Sequence, residues 1–469
     1  MAKNINRRNF LKMLGTAAAS TAILPSCSDT QRHGSAAYGT TSKTEPPTDK
    51  MTYRKNPNTG DTVSLLGYGM MRLPVEGSAS DAPIDQEMVN RQVDYALEHG
   101  VNYFDTSPAY CQGRSEGATG VALSRHDRKK YFIATKLSNF APETWSRKAS
   151  IEMFENSLKE LRTDYVDYLL LHAIGGGGDK ALETFNGRYI DNGILDWLVE
   201  QKEKGRIRNL GFSYHGDVSI FDLMLRWHDE GRYHWDFVQI ESNYLDWNFA
   251  DEINPSNTDA SYLYGELERR GIPAVIMEPL LGGRLARVPD YVMAKMKERD
   301  PEASVASWAF RFAGTPEGIL TVLSGMTYME HLRDNILTYS PLRPVTDDEN
   351  RFLLEIAREI YDLKAIPCTG CSYCMPCPYG IDIPSTFAHY NRCINEGNMP
   401  SHGAQDPRYR EARRAFLIGY DRSVPRLRQA DHCIGCGQCV EHCPQQIKIP
   451  SELHRIARFV EDLKQNPPA

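Results

Sequence analysis

From about residue 63 to residue 339, short apolar runs alternate with stretches in which apolar residues recur every three or four positions. Tyr103-Phe104-Asp105-Thr106, Tyr131 to Lys136, Tyr165 to Leu171, Phe237 to Ile240 and Ala274 to Met277 read as strands. Their consecutive apolar positions suit strands buried on both faces, as in a parallel sheet. Ile151, Phe154, Leu158 and Leu161 fall on one face of an intervening helix. About eight such units in about 280 residues predict an α/β fold of the (β/α)8 TIM-barrel kind over 51–345. An open doubly wound sheet is the rival, but no Gly-x-Gly-x-x-Gly follows the first strand.

Chemistry in such a barrel belongs at the C-terminal ends of the strands. Asp105 ends the second strand, Tyr110 lies in the next loop, Lys136 ends the third strand and His172 the fourth. Reducing a carbonyl takes a hydride on carbon and a proton on oxygen. A tyrosine can give the proton once its pKa, ordinarily about 10, is lowered. A neighbouring ammonium does that, a role open to Lys136. Asp105 can hold Lys136, and His172 can orient the substrate oxygen against Tyr110. Taken singly, each has a structural use: an aspartate caps helices, a lysine or tyrosine decorates a rim, a histidine is satisfied in a core. Four compatible residues on three successive strands favour the catalytic reading.

The stretches Leu66 to Pro74, Phe104 to Tyr110, Gly113-Arg114-Ser115-Glu116, Ala134-Thr135-Lys136 and Leu170-Leu171-His172 resemble the aldo-keto reductase family. The resemblance implies a nicotinamide cofactor and Asp105, Tyr110, Lys136 and His172 as a catalytic tetrad. It also implies Gly69, Met70 and Met71 against the cofactor, with Ser213 and Gln239 on the carboxamide. Met277 then packs where many members stack an aromatic ring, and Pro279, Leu280 and Gly282 border the pyrophosphate. Gly325, His331 and Asn335 fall at the adenosine end. Strongly NADP-preferring members carry Lys and Arg there; Gly325 and His331 stand here instead, with Arg333 nearby, so both NADP and NAD stay open.

Nine of the 11 cysteines lie between Cys368 and Cys443. Such crowding signals a metal or cluster site and not a disulfide scaffold. Cys368, Cys371, Cys374 and Cys377 precede Pro378; Cys433, Cys436, Cys439 and Cys443 precede Pro444 with bacterial ferredoxin spacing. The first group is one residue shorter before its last cysteine. Each half continues Ile-x-Ile-Pro-Ser, at Ile381 and at Ile447, so the module repeats internally. All-cysteine zinc is the alternative, but zinc sites usually take two separated pairs. The pattern resembles a two-cluster ferredoxin. That implies two [4Fe–4S] clusters, one on Cys368, Cys371, Cys374 and Cys443, the other on Cys433, Cys436, Cys439 and Cys377. Cys393 is left over as a structural thiol. A small, mainly helical ferredoxin-like domain is expected over 346–469.

Residues 1–27 read as an export signal. Lys3, Arg7 and Arg8 precede a short apolar stretch, and Asn6 to Lys12 resembles a twin-arginine motif. Leu24-Pro25-Ser26-Cys27 resembles a lipoprotein cleavage box, which makes Cys27 a candidate lipid anchor. Residues 28–50, rich in Ser, Thr, Gly and Pro, read as a tether. The expected place is periplasmic or membrane-anchored, with a cytoplasmic alternative. A net charge of −7 without a basic cluster excludes nucleic-acid binding. The expected activity is hydride transfer between a nicotinamide and a small carbonyl or alcohol, with clusters exchanging electrons with the cofactor or a redox partner protein. The alternative is an electron carrier with a catalytically quiet barrel. Gly175 to Gly178 read as a lid or a featureless loop. Trp145, Trp197, Trp235 and Trp247 read as pocket or core.

Overall fold

The computed structural model describes residues 44–77, 82–252, 257–362, 365–400, 409–445 and 447–465. The export signal, Cys27 and the tether up to residue 43 lie outside the described residues.

A hairpin of β1 (Tyr53–Lys55) and β2 (Thr62–Ser64) opens the described chain. Eight parallel strands follow: β3 (Leu66–Gly69), β4 (Tyr103–Asp105), β5 (Phe132–Leu137), β6 (Val166–Ile174), β7 (Ile207–Tyr214), β8 (Phe237–Glu241), β9 (Ala274–Met277) and β10 (Ile319–Ser324). They close in sequence order, β10 pairing β3. Between them run helices whose apolar stripes face the strands. Helix Arg147–Glu160 buries Phe154 and Leu158 and is capped by the Ser146 side chain, which accepts from the Ala149 N–H.

Inside the barrel, Tyr103, Tyr168, Phe237, Val275 and Leu323 form one packed layer. The hairpin seals the end at which the strands begin. Asn56, fully buried at its tip, donates to Tyr168 Oη at 3.0 Å and to Asn209 Oδ1 at 3.2 Å. Arg208 bridges Asp61 of the hairpin to the buried Asp167 of β6. With that end covered by the hairpin among the described residues, the cavity lies at the strands' C-terminal ends.

Helix Asp347–Tyr361 leads out of the barrel from a capping box between Thr346 and Glu349. It packs Leu353, Ile356 and Ile360 into a second core with Leu285 and Trp308. The cysteine-rich module has its own core, in which Phe387, Phe416, Leu453 and Ile456 join helices Ile383–Asn395, Tyr409–Ser423 and Ile449–Gln465. The sequence repeat becomes a structural one: Ile381, Ile383, Ile447 and Ile449 are all buried, and each Ile-Pro opens a helix. Among the described residues no helix is long and apolar enough to cross a membrane.

The helix Ser115–Leu123 carries an unexpected buried acid. Glu116 is 2% exposed; its carboxyl accepts from Thr135 Oγ1 at 2.5 Å and from Ser157 Oγ at 3.1 Å. Burial pushes its pKa up to about 7, against the two hydroxyl bonds that favour the anion. Between the ordinary carboxylate range and that value, the folded protein keeps a proton the unfolded chain has lost. Stability should therefore fall as pH rises through that window and level off above it. Glu116→Gln is expected to remove the slope, leaving stability at pH 5 near that of the parent and raising it at pH 8 by about 3 kcal/mol. Denaturant titrations at the two pH values check this; parallel behaviour of parent and variant would refute the buried proton.

Candidate active site

The strand ends bring the four predicted residues together. Lys136 Nζ, with no exposed side-chain surface, donates to Asp105 Oδ1 at 2.6 Å and to the Thr106 carbonyl at 3.0 Å. Burial raises the Asp105 pKa and lowers that of Lys136, each opposed by the partner's charge. Tyr110 follows in the loop after β4, its ring 4.7 Å from the ammonium. His172, near the end of β6, meets that ring edge-on at 5.9 Å. Its Nδ1 lies 2.6 Å from Ser138 Oγ and 3.4 Å from Ser107 Oγ. Burial, with Lys136 and Arg188 adding repulsion, holds the imidazole well below its ordinary pKa, so the ring is neutral.

The ammonium was expected to acidify the phenol. Instead it lies over the ring face and spends its hydrogen bonds on Asp105 and Thr106. Burial, then the Asp105 charge, keeps Tyr110 well above the ordinary tyrosine range. The phenol is a protonated donor in this state.

Asp105, Tyr110 and His172 open on a chamber of about 1390 Å³, with Lys136 buried behind them. Gly69, Met71, Ser213, Gln239, Met277, Pro279, Leu280, Gly282, Gly325, His331 and Asn335 all line it. Met70 does not. Its side chain is fully buried in the barrel core, and its carbonyl accepts from Ser115 Oγ at 2.8 Å. A residue between two chamber-lining neighbours points the other way because the short 3-10 turn after β3 reverses its direction. The glycine run after β6 is neither featureless nor detached: Gly175, Gly177 and Gly178 take positive φ, and Gly176 to Gly178 border the chamber. Trp145 lines it too, whereas Trp235 is core, and Trp197 and Trp247 pack against the core.

The chamber suits a nicotinamide unevenly. Gln239 Oε1 is buried without a partner, an acceptor fitted to a carboxamide N–H, while its Nε2 rests on Met277 Sδ at 3.2 Å. Ser213 Oγ accepts from the Ala173 N–H at 2.8 Å. In the loop after β9, Glu278, Leu281, Gly282 and Gly283 all have positive φ, and the Gly282 N–H donates to the Glu278 carboxylate at 2.5 Å. That amide already serves a carboxyl oxygen where the pyrophosphate is expected. At the adenosine end, Arg333 faces Glu45 at 3.6 Å and the Tyr95 ring. Burial keeps His331 below its ordinary pKa.

Sequence reasoning missed what roofs the chamber. Thr369, Cys371, Tyr373, Cys443, Gln445 and Lys448 of the cysteine-rich module line the same cavity. Arg72 Nη2 donates to the Thr369 carbonyl at 2.6 Å and Nη1 to the Gly370 carbonyl at 3.4 Å. A Cβ on Gly282 would come within 2.2 Å of the Thr369 oxygen, so only glycine allows this approach. Gln445 Nε2 donates to Glu241 Oε1 at 2.7 Å. Tyr373 Oη reaches Met71 Sδ at 4.0 Å. The one signal for it was its place between two ligand cysteines; nothing in the sequence pairs Arg72 with Thr369.

The cysteines group across the internal repeat. Burial pushes the Cys368 thiol up to about 12, and Cys371 and Cys443 add to it. Burial pushes Cys439 up to about 11, and Cys377, Cys433 and Cys436 add to it. Among the described residues no three His, Cys, Asp or Glu side chains converge as a single-ion site requires. Sulfurs on one tetrahedral zinc would stand about 3.8 Å apart. Cysteines of the two halves come near enough for their charges to act on one another across the repeat. Cys393 is apart, buried beside His389.

Residues 65–356 match the profile of the aldo/keto reductase family, and residues 367–448 that of a 4Fe-4S dicluster domain. Protein tas of Escherichia coli (strain K12) is 30% identical over 187 residues, 35% of this chain and 52% of that protein. The chain thus spans about half the length of that relative. The uncharacterized oxidoreductase YqkF of Bacillus subtilis (strain 168) is 25% identical over 323 residues, 62% of this chain and 92% of that one. An aldo-keto reductase from Klebsiella pneumoniae, solved in complex with NADPH, is 18% identical with a TM-score of 0.50, covering 66% of this chain and 96% of that one, a likeness of fold. A closed eight-stranded barrel with Asp105, Tyr110, Lys136 and His172 gathered at its mouth, matched by the family profile over most of its length, places this chain in the aldo/keto reductase family, joined to a 4Fe-4S dicluster domain.

Proposed function

We propose that the protein interconverts a small carbonyl compound and its alcohol with a nicotinamide; alcohol oxidation would leave the reduced nicotinamide, whose two electrons the clusters would pass one at a time to a partner, with release of a proton and return of the oxidised nicotinamide. The observation that carries this reading is the shared cavity, bordered at once by Tyr110, His172 and Gln239 and by Cys371 and Cys443. A bound nicotinamide supplies or accepts the hydride. The chain's own residues do the rest. Tyr110 Oη, protonated, donates to the substrate oxygen. Ser138 donating to His172 Nδ1 leaves Nε2 with the proton, a second donor to the same oxygen. Lys136, clamped by Asp105, stabilises negative charge as it grows on that oxygen and on the phenol. Ser213 and Gln239 fix the carboxamide, and Met277 packs against the ring. The roof excludes water, which strengthens each of these interactions.

Arg333 is engaged by Glu45 and His331 is held neutral, so no cation is set for a 2′-phosphate by these two residues, and NAD is preferred over NADP. Two [4Fe–4S] clusters take the crossed ligand sets, Cys368, Cys371, Cys374 and Cys443 bordering the chamber, and Cys433, Cys436, Cys439 and Cys377 away from it. Arg7-Arg8 sends the folded, loaded protein out of the cytoplasm, and Cys27 anchors it to lipid.

Tyr110→Phe is expected to lower kcat for NADH-dependent reduction of an aromatic aldehyde such as 4-nitrobenzaldehyde by about 10²–10⁴-fold. NADH affinity, read by fluorescence, should stay unchanged. The parent's kcat in reduction should be flat from pH 6 to 9, since the phenol stays protonated and His172 neutral. A loss under fivefold in the variant would remove Tyr110 from the proton's path. Crossed ligation predicts that Cys443→Ser and Cys368→Ser deplete the same cluster, halving iron and sulfide per chain, and that combining them costs no more. Additive loss in the double variant would refute it.

A further inference from the structure

Strand β6 is irregular where it delivers His172. Leu171 pairs with Phe212 and Ile174 with Tyr214, so β6 runs one residue longer than β7 between the two pairs. The surplus falls on His172 and Ala173. Ala173 takes a φ of 49°, a left-handed conformation unfavourable for a residue with a Cβ. A bulge of this kind re-aims a side chain, and bulges gather beside active sites. It also takes backbone groups out of the sheet ladder, and buried ones need other partners.

Arg188 supplies those partners. It lies on a π-helical turn, Asn186–Ile190, in which the Asp191 N–H reaches the Asn186 carbonyl at 2.9 Å. From there its side chain crosses to the bulge. Nη2 donates to the His172 carbonyl at 2.5 Å and Nη1 to the Ala173 carbonyl at 3.1 Å. Tyr189 Oη accepts from Arg188 Nη2 at 2.6 Å and donates to the same His172 carbonyl at 3.2 Å. Nε is held by Asn139 Oδ1 at 3.3 Å. On the other side the Ala173 N–H donates to Ser213 Oγ. The left-handed residue after His172 is thus gripped at both its N–H and its carbonyl.

Two features set this arginine apart from ordinary packing. It is 3% exposed, and all of these bonds go to neutral oxygens, so its charge is buried with no carboxylate bonded to it. Burying a charge in that way is unfavourable, and an apolar side chain would fill the same space without serving the two carbonyls. Its turn is also π-helical, a departure from the regular helix that recurs at functional sites. Arg188 borders the chamber beside His172. Its guanidinium lies 5.0 Å from the Phe140 ring, and that ring meets the imidazole at 4.8 Å.

We propose that Arg188 is the positioning residue of His172: by holding the His172 and Ala173 carbonyls it fixes the bulge of β6 in its left-handed form and so aims the imidazole at the substrate oxygen. The proposal rests on the reading of His172 as a donor to that oxygen. It deepens that reading by dividing the work, Ser138 setting the rotation of the ring and Arg188 the backbone from which the ring hangs.

The test uses the full-length, cluster-loaded protein with NADH and 4-nitrobenzaldehyde. Arg188→Lys keeps the charge but cannot serve both carbonyls as the fork does, and should lower kcat by about tenfold or more. In a His172→Gln background the same change should lower kcat by less than about twofold, because the group it positions is gone. Adding Ala173→Gly to Arg188→Lys should restore kcat by about threefold or more, since glycine takes the left-handed conformation without a clamp. A crystal structure of Arg188→Lys should show Ala173 out of the left-handed region and His172 Nδ1 parted from Ser138 Oγ, 2.6 Å away in the parent. Iron content and visible absorbance equal to the parent's show that the variants are loaded and folded; Arg188→Gln takes the place of the lysine variant if that one is not. A kcat within about twofold of the parent's, equal losses in the two backgrounds, or an unmoved His172 and Ala173 would overturn the proposal. A parent that binds NADH but turns over no aldehyde would count against the hydride chemistry, and the crystal structure then decides on the clamp alone.

Discussion

The arrangement depends on a barrel whose starting end is covered, among the described residues, by its own N-terminal hairpin. Asn56 and Arg208 tie the N-terminal hairpin across the end where the strands begin, and Tyr103, Tyr168 and Phe237 fill the interior above it. Whatever polar groups the strands carry at their other ends are thereby forced into one small space. The buried ammonium of Lys136 is tolerable there because Asp105 and the Thr106 carbonyl take up its hydrogen bonds. An unpaired charge at that depth would cost several kcal/mol, so the pair is held as a unit and Tyr110 and His172 are arranged around it.

A chamber at the strand ends is shaped by whatever covers it. Here that is the cysteine-rich module. Arg72, just past the end of β3, grips the Thr369 and Gly370 carbonyls, and Gly282 lets the Thr369 backbone come closer than any side chain would allow. The module is thus a wall of the site as well as an appendage to it. Tyr373, fixed between Cys371 and Cys374, brings a second phenol into the chamber that Tyr110 already occupies. Residues of the barrel and of the 4Fe-4S dicluster domain thus line one cavity.

Much of this was legible in the sequence because it was local. Apolar runs gave the strands, the periodicity of Phe154 and Leu158 gave a helix face, and the two Ile-x-Ile-Pro-Ser segments gave the repeat that the structure turns into buried isoleucines and helix starts. Side-chain direction was not local. Met70 was read with Gly69 and Met71, yet the turn after β3 sends it into the core. Acidification of the phenol is what the charge of a neighbouring ammonium predicts; the geometry puts the ammonium on the ring face, bonded to Asp105 and Thr106, and burial dominates. Contacts across some 300 residues, such as Arg72 with Thr369, leave no trace in either segment alone. Glu116 was legible as part of a motif but not as a buried proton carrier, since its partners Thr135 and Ser157 come from two other elements.

The central claim is that hydride chemistry and iron–sulfur chemistry share one chamber. Anaerobic addition of NADH to the cluster-loaded protein, followed through the visible cluster absorbance, tests it most directly. The account predicts bleaching once nucleotide is bound, and a slower or smaller response when Arg72→Ala loosens the roof. Full occupancy by NADH with the absorbance unchanged, under conditions where dithionite bleaches it, would contradict the claim.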